Sequence, residues 1–325
     1  MKRIYIAIIA LAAACTPATV DNRTPQGGPS DEPSADASSD PSASPAAFDP
    51  TGCVKTVTKE TWVKKSSGPG TYMSTRQEMT VTYDSQGRPD QQAYVTYSYD
   101  ENGESLPDGF GLLKRNEYYF YSEGHMEIRQ HPEPEAVIYK ADLDANGCIT
   151  HYESGYMDKD VWKTYSSGDC KYLAHPGLEG FALMTIDNIT GSPSESHPWE
   201  FTWNAEGCLV HAHQKWGPEG PEELTDDESR YYIYSGSTNT SYGKAYDISG
   251  LLIDDLDPYG FKGRGCELLP SYANTTYRNK AYEFDYEYDR QGPLHKATVD
   301  WYPFADDSAM ASVKHTYVYT FTYYE

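Results

Sequence analysis

The chain has 325 residues, with 26 Lys and Arg against 49 Asp and Glu for a formal charge of −23, and it is 14% aromatic with 30 tyrosines. That balance argues against nucleic acid as a partner and equally against docking of the protein surface on anionic lipid. Either would need a cluster of Lys and Arg, and none of useful size follows Arg3.

Taken in chain order, Lys2 and Arg3 precede an apolar run from Ile4 to Ala14. The run is too short to cross a bilayer as a helix and has the length of a signal-peptide core, so residues 1–14 are expected to be a targeting segment outside the fold. The small residues Ala12, Ala13 and Ala14 and the cysteine that follows, Cys15, resemble the lipobox of bacterial lipoproteins, although Leu11 stands four residues before the cysteine where the motif has it three before. Cys15 is therefore the expected lipidation site, and the expected partner there is a membrane reached through the anchor. Between Thr16 and Pro50 the only large apolar side chains are Val20 and Phe48. Such a segment cannot offset the entropy of ordering, and residues 15–50 read as a lipidated cysteine with a disordered linker.

Residues 51–325 are expected to form a single β domain. A short pattern recurs in them: an aromatic or aliphatic residue, Asp or Asn, two variable residues, then Gly. It appears at Tyr83-Asp84-Ser85-Gln86-Gly87, Tyr99-Asp100-Glu101-Asn102-Gly103, Leu143-Asp144-Ala145-Asn146-Gly147, Trp203-Asn204-Ala205-Glu206-Gly207, Tyr246-Asp247-Ile248-Ser249-Gly250 and Tyr288-Asp289-Arg290-Gln291-Gly292. Asp or Asn caps a turn with its side chain and Gly supplies the positive φ, which makes each copy a hairpin connection. The flanks alternate with period two. Met79, Val81 and Tyr83 share one face; Tyr282, Phe284, Tyr286 and Tyr288 alternate with Glu283, Asp285, Glu287 and Asp289; Tyr317, Tyr319, Phe321 and Tyr323 alternate with Val318, Thr320 and Thr322. Gly87 and Gly103 lie 16 apart, which leaves room for one strand joining turns at opposite rims. The expected fold is all-β, a large antiparallel meander of roughly twelve to sixteen strands, closed or strongly curled into a barrel-like domain because closure removes exposed edges.

The tyrosine-aspartate turns, the tyrosine-rich strands and the Cys15 lipobox together resemble uncharacterised Bacteroidota lipoproteins with a porin-like β fold, with a more distant likeness to the tyrosine-aspartate repeats of Rhs-type shells. The resemblance covers most of residues 51–325. It implies a bacterial cell-envelope protein with a barrel-like fold, anchored at the outer membrane with its periplasmic or cell-surface orientation open, and it brings no activity with it. A membrane-spanning barrel would need an apolar outer band, whereas the faces opposite the tyrosines carry Thr, Glu and Asp.

Several residue sets are candidates for chemistry. Asp142, Asp144, Asn146 and Glu153, with Gly147 and Ile149, match a calcium-loop spacing, but the helices such a loop needs are replaced by strand-like flanks. No other cofactor is indicated. His211 and His213 share a strand face, the start of a metal site without a third ligand. Glu222, Glu223, Asp226, Asp227 and Glu228 read as a solvated loop, and Asp254, Asp255 and Asp257 as a carboxylate cluster whose spacing nothing fixes. With Cys15 lipidated, five cysteines remain. A hairpin centred on Lys159 would set Cys148 opposite Cys170 as a disulfide, with Cys170–Cys208 as its rival. Trp62, Trp162, Trp199, Trp203, Trp216 and Trp301 are candidates for an aromatic binding platform, weighed against a plain role in the core. No nucleophile elbow, metalloprotease helix motif, phosphate loop or dinucleotide fingerprint is present, so a non-enzymatic module binding a glycan or a protein ranks first. A structural or assembly component of the envelope ranks second and a glycan hydrolase third.

Overall fold

The period-two alternation becomes sixteen strands, and among the described residues the only helical turn is a short 3-10 segment, Pro134–Ala136. The computed structural model describes residues 48–107, 111–174, 181–187, 199–214, 228–241, 248, 266–276, 280–290, 292–302 and 314–325. The targeting segment, Cys15, nearly all of the linker and the turn copy at 246–250 apart from Ile248 lie outside these residues. The first eight strands are β1 (Val54–Lys64), β2 (Thr71–Tyr83), β3 (Pro89–Ser98), β4 (Leu112–Ser122), β5 (His125–Arg129), β6 (Val137–Leu143), β7 (Ile149–Asp158) and β8 (Val161–Ala174). The second eight are β9 (Phe181–Asp187), β10 (Trp199–Trp203), β11 (Leu209–Gln214), β12 (Glu228–Thr238), β13 (Leu268–Thr275), β14 (Lys280–Tyr288), β15 (Leu294–Tyr302) and β16 (His315–Tyr323).

Each strand pairs antiparallel with its neighbours in sequence, and β16 pairs back onto β1 with Phe321 opposite Val57 and Tyr317 opposite Thr61. The result is one strongly curled antiparallel sheet in which every described strand has two partners. That arrangement answers the edge problem raised by so many strands.

The repeated turns share one geometry. In the copies at Asp84, Asp100 and Asp144, Gly at the fourth position donates its N–H to the Asp carbonyl, while the Asp carboxylate accepts the N–H groups two and four residues on. Gly87, Gly103 and Gly147 have φ of 81°, 83° and 79°, a region that costs any other residue a clash. Asn204 does the same with its side-chain oxygen, accepting from Cys208 N–H. In each, the residue before the Asp or Asn pairs with the residue six positions on: Tyr83 with Pro89, Leu143 with Ile149, Trp203 with Leu209, Tyr288 with Leu294. A bulge precedes each of these four pairs and bends the hairpin. Ile149, Leu209 and Leu294, the aliphatic residues so placed, are all buried.

Alternation sorts the side chains into two faces. The inner face carries Val57, Met79, Val81, Tyr94, Tyr119, Ile128, Tyr139, Tyr152, Ala212, Tyr232, Ala273, Phe284, Ala297, Val299, Tyr319 and Phe321, all in one apolar cluster. Tyr139 and Tyr152 stack at 5.8 Å, and a β-carbon on Gly168 would meet the Tyr152 ring at 2.5 Å, so glycine at that point makes room for the large ring. Tyrosine serves here because its ring fills a wide interior while its hydroxyl ends on a backbone carbonyl: Tyr83 donates to Val54, Tyr234 to Leu209, Tyr286 to Pro270 and Tyr323 to Leu294. The outer face carries Glu60, Glu78, Arg76, Lys140, Glu153, Glu283, Asp285 and Asp300 at mid-strand positions. Charges at the middle of a hydrocarbon span cost about 2–4 kcal/mol for each Arg or Lys. The described strands thus present no lipid-facing band, and the apolar face is the one turned inward.

Candidate functional site

The antiparallel order gives the sheet two unlike ends. The turns at 84–87, 123–124, 144–147, 204–207 and 289–292 all lie at one end, which we call the turn end; the connections at 65–70, 99–111, 130–136 and 159–160 lie at the other, the loop end. Among the described residues, the copy at Tyr99 is the one turn of the repeat placed at the loop end, where Glu101 accepts the N–H and hydroxyl groups of both Ser66 and Ser67 from the neighbouring connection. Those bonds pull the Glu101 carboxyl down to about 2.

On β2, β15 and β16 burial along the inner face falls off from the turn end to the loop end, whereas β10 to β14 keep Trp199, Gln214, Glu228, Thr275 and Tyr282 buried at the loop end. On β2 it runs from fully buried Val81 through Met79 to half-buried Gln77 and Thr75; on β16 from buried Phe321 and Tyr319 to half-buried Tyr317 and His315; on β15 from buried Ala297 and Val299 to half-buried Trp301. The turn end is also covered by backbone. Asn239 and Ser241 are buried there, Asn239 donating to the Cys266 carbonyl and Ser241 Oγ accepting from Ile248 N–H, and a disulfide joins Cys208 to Cys266. The chain enters at the same end: the Phe48 ring lies 6.1 Å from Tyr83, which lies 6.0 Å from Tyr324.

At the loop end, four adjacent strands place one set of side chains on the inner face, with Trp301, His315 and Tyr317 half-buried and Tyr282 buried beside them. Trp301 of β15 lies opposite Tyr282 of β14 and opposite His315 of β16. Its ring is near-parallel to Tyr282 and Tyr317, with centroids 6.3 Å away in both cases, and is 4.8 Å from His315. Lysines bracket this aromatic row: Lys280 of β14 lies over Trp301 at 5.5 Å, and Lys59 of β1 lies over Tyr317 and Tyr319 at 4.9 and 5.3 Å. Burial shifts the His315 pKa downward, favouring the neutral ring.

Two arginine-carboxylate pairs continue the inner wall on either side. Arg115 pairs with fully buried Glu117 at 2.6 Å and lies over Tyr94 at 5.0 Å. Glu117 also accepts the Tyr119 hydroxyl, and desolvation outweighs these partners to raise its pKa. Arg230 pairs with Glu228 at 2.6 Å and lies over Trp199 at 4.4 Å, while Glu228 accepts the Thr275 hydroxyl. Each inward cation therefore rests on an aromatic face, and each inward carboxylate has an arginine.

The residues singled out in the sequence are dispersed. Of the six tryptophans, Trp199 and Trp301 face inward and Trp203 packs against the core beside a turn. Trp62 donates to Glu60 and Trp162 to Glu153, both on the outer face, and Trp216 lies outside the described residues. The five described tryptophans do not form one platform. The calcium-like set does not converge either: Asp144 and Asn146 are engaged in the turn, Asp142 pairs with His125 at 2.7 Å, and Glu153 takes the Trp162 indole N–H. His211 and His213 face outward, stacked with Tyr231. The aspartates 254, 255 and 257 and the acidic run up to Asp227 lie outside the described residues.

The cysteine pairing is corrected. Cys148 and Cys170 are not joined, and neither are Cys170 and Cys208; the disulfide between described residues is Cys208–Cys266, with Cα atoms 5.0 Å apart. The hairpin turns at Lys159 and Asp160, both at positive φ, with Asp158 opposite Val161, and a bulge at Ser154/Gly155 shifts it again. His151 consequently faces Asp169, two residues beyond the Ser167 that a hairpin centred on Lys159 would give it. Lys59, Lys280, His315 and Arg230 were not picked out in the sequence. Their signal was present in the alternation that put Tyr282 and Tyr317 on inward faces.

This architecture is similar to that of a porin-like protein from Bacteroides uniformis, with TM-score 0.57 and 13% identity over 85% of this chain and 98% of that one. A porin-like protein from Bacteroides vulgatus matches more loosely, with TM-score 0.40 and 9% identity over 82% and 97% of the two chains. No family model and no curated protein matches the sequence. The first likeness establishes a porin-like β fold for the chain.

Proposed function

We propose that this chain is an exported cell-envelope protein, anchored by lipid on Cys15, that binds glycans at the loop end of its β domain. The observation that carries the reading is the contrast between the two ends of one inner wall. On β15 and β16 it is apolar and buried toward the end where the tether enters, and at the opposite end it offers the half-buried rings of Trp301 and Tyr317, stacked in one row with Tyr282 and with hydrogen-bonding side chains beside them. Aromatic faces hold sugar rings with little entropy lost, because the rings are already fixed by their neighbours. A tether at the turn end leaves the loop end directed away from the membrane.

The hydrolase reading has less behind it, since the inner-face carboxylates Glu117 and Glu228 are each held by an arginine and a hydroxyl. A glycan array probed with the mature chain tests the proposal. Binding that weakens when Trp301 is changed to Leu supports it, and silence across neutral and acidic glycans overturns it. The anchor is tested separately by Cys15→Ala, which should release the protein from the membrane fraction.

A further inference from the structure

Resting on that glycan-binding reading, we infer that the loop-end site takes a linear, neutral oligosaccharide laid across the strands, with one pyranose on the aromatic row and the following ones on a strip of hydroxyl and amide side chains carried by β1, β2 and β3. Strand register places the strip. Tyr317 of β16 lies opposite Thr61 of β1, Thr61 opposite Thr75 of β2, and Thr75 opposite Ser98 of β3. In the next row toward the turn end, Lys59, Gln77 and Thr96 follow Tyr319 in the same way. Residues directly opposite one another share a face, so Thr61, Thr75, Gln77, Thr96 and Ser98 continue the inner wall from the edge of the rings. Each of them is half-buried.

The make-up of this strip differs from that of the solvated face behind it. Outward positions of the same strands include Glu60, Arg76 and Glu78, whereas the inward ones at this level are uncharged apart from Lys59, whose ammonium group lies over the Tyr317 and Tyr319 rings. Gln77 donates an amide N–H to the Thr96 hydroxyl at 3.3 Å, which orients the amide along the wall. Hydroxyl and amide groups both donate and accept, and a sugar presents the same two functions at successive ring positions. A carboxylated saccharide would shed water along a strip whose cation, Lys59, is already engaged on two rings, a desolvation cost that a neutral saccharide does not carry. The extent of the wall calls for a chain of sugars. Adjacent strands are about 4.8 Å apart, so the three steps from Tyr317 on β16 to Ser98 on β3 run roughly 14 Å along the sheet. A single pyranose on Trp301 and Tyr317 covers only the near end of that distance, and several linked ones fill it.

The test titrates the mature chain by calorimetry with cello-, manno-, xylo- and malto-oligosaccharides from monosaccharide to hexasaccharide. In the series that binds best, affinity should rise at least tenfold from disaccharide to hexasaccharide. Thr75→Val, which keeps the side-chain shape and removes the hydroxyl, and Gln77→Ala should each take away most of that rise while leaving disaccharide affinity within about twofold of the parent; Trp301→Leu should weaken every length. Because both strip positions are half-buried, the two strip variants should melt within a few degrees of the parent. Affinity that does not grow with chain length overturns the inference while the glycan reading stands, and so does a rise that survives both strip variants. Silence in all four series, with other glycans bound on the array, has the same consequence. A protein that binds no glycan of any kind removes both.

Discussion

The turn end and the loop end are made by the same strands, yet they are built to different rules. At the turn end, copies of one five-residue pattern share the bond from the Gly N–H to the Asp or Asn carbonyl, and Ile149, Leu209 and Leu294, six positions after the residue that opens their copies, drop into the core. Tyrosine hydroxyls close backbone carbonyls there, Tyr83 on Val54, Tyr323 on Leu294 and Tyr324 on Val81. At the loop end the one described copy of the pattern is held by a neighbouring connection instead, and on β1 and β16 the inner wall changes from Val and Phe to Lys, His, Thr and the half-buried Tyr317 ring. Stability is thus concentrated where the chain enters, which leaves the far end freer to carry polar and charged side chains that a core would not tolerate.

The sharpest way to break this comparison is to weaken the turn end. Cys208→Ser opens a loop of 58 residues and should cost about 4 kcal/mol on the chain-entropy account, measured as the shift in urea unfolding against the oxidised parent. Leu294→Ala, at a side chain with no exposed surface, should cost about 3 kcal/mol by the same measurement. Thr75→Ala on the inner face at the loop end should cost less than about 1 kcal/mol, since little surface is lost from a half-buried position. If Thr75→Ala proved as costly as Leu294→Ala, the two ends would not differ in the way the burial gradient says.

Alkali discriminates between the ends without mutation. Burial holds the Tyr323 phenol up to about 12 and pushes those of Tyr83 and Tyr286 higher still, all three near the turn end with hydroxyls on backbone carbonyls. A phenol whose folded pKa lies above its unfolded value near 10 favours the folded state while protonated. That contribution is complete below pH 10 and is lost as pH rises from 10 toward 12. Unfolding by circular dichroism should therefore set in above pH 10, together with a cooperative rise in tyrosinate absorbance. A smooth, non-cooperative titration of every tyrosine with the fold intact would contradict the buried hydroxyl network.

How far the sequence revealed this molecule follows from what period two encodes. Alternation at Tyr282, Phe284 and Tyr286 and at Tyr317, Tyr319 and Phe321 fixed which face was inward, and the tyrosine-aspartate turns marked where strands end, so the all-β sheet and its strand number were within reach. Height along a strand was not. Nothing in the letters says that Trp301 and His315 share a level, because that depends on the register of β15 against β16. The Cys148–Cys170 expectation failed for the same kind of reason: a bulge and a two-residue turn moved the register, and neither leaves a strong local mark when the turn residues are Lys159 and Asp160. The calcium-like spacing at Asp142, Asp144, Asn146 and Glu153 shows how a turn cap imitates a ligand series. An Asp that must accept backbone N–H groups and a Gly directly after an Asn satisfy both patterns, and only the far carboxylates, which here meet His125 and Trp162, tell them apart.

A smaller effect separates copies of the turn itself. Gly147 has φ of 79° with nothing within 4 Å of an added β-carbon, so Gly147→Ala should cost about 1–2 kcal/mol through the backbone alone. Gly292 occupies the same position of the last copy at an ordinary φ, its added β-carbon 3.2 Å from that of Asp289, and the same substitution should cost well under about 1 kcal/mol. The cause lies one residue further on. Cys148 donates its N–H to the Asp144 carboxylate, whereas the matching residue in the last copy is Pro293, which has no N–H to give. Asp144→Ala should accordingly lose two backbone bonds and about 1–2 kcal/mol, and Asp289→Ala about half as much, since its carboxylate can receive at most one of the two. Replacing Pro293 by a residue with an N–H should narrow the gap between the two aspartate variants; a gap that stayed unchanged would show that the missing N–H is not what sets the two copies apart.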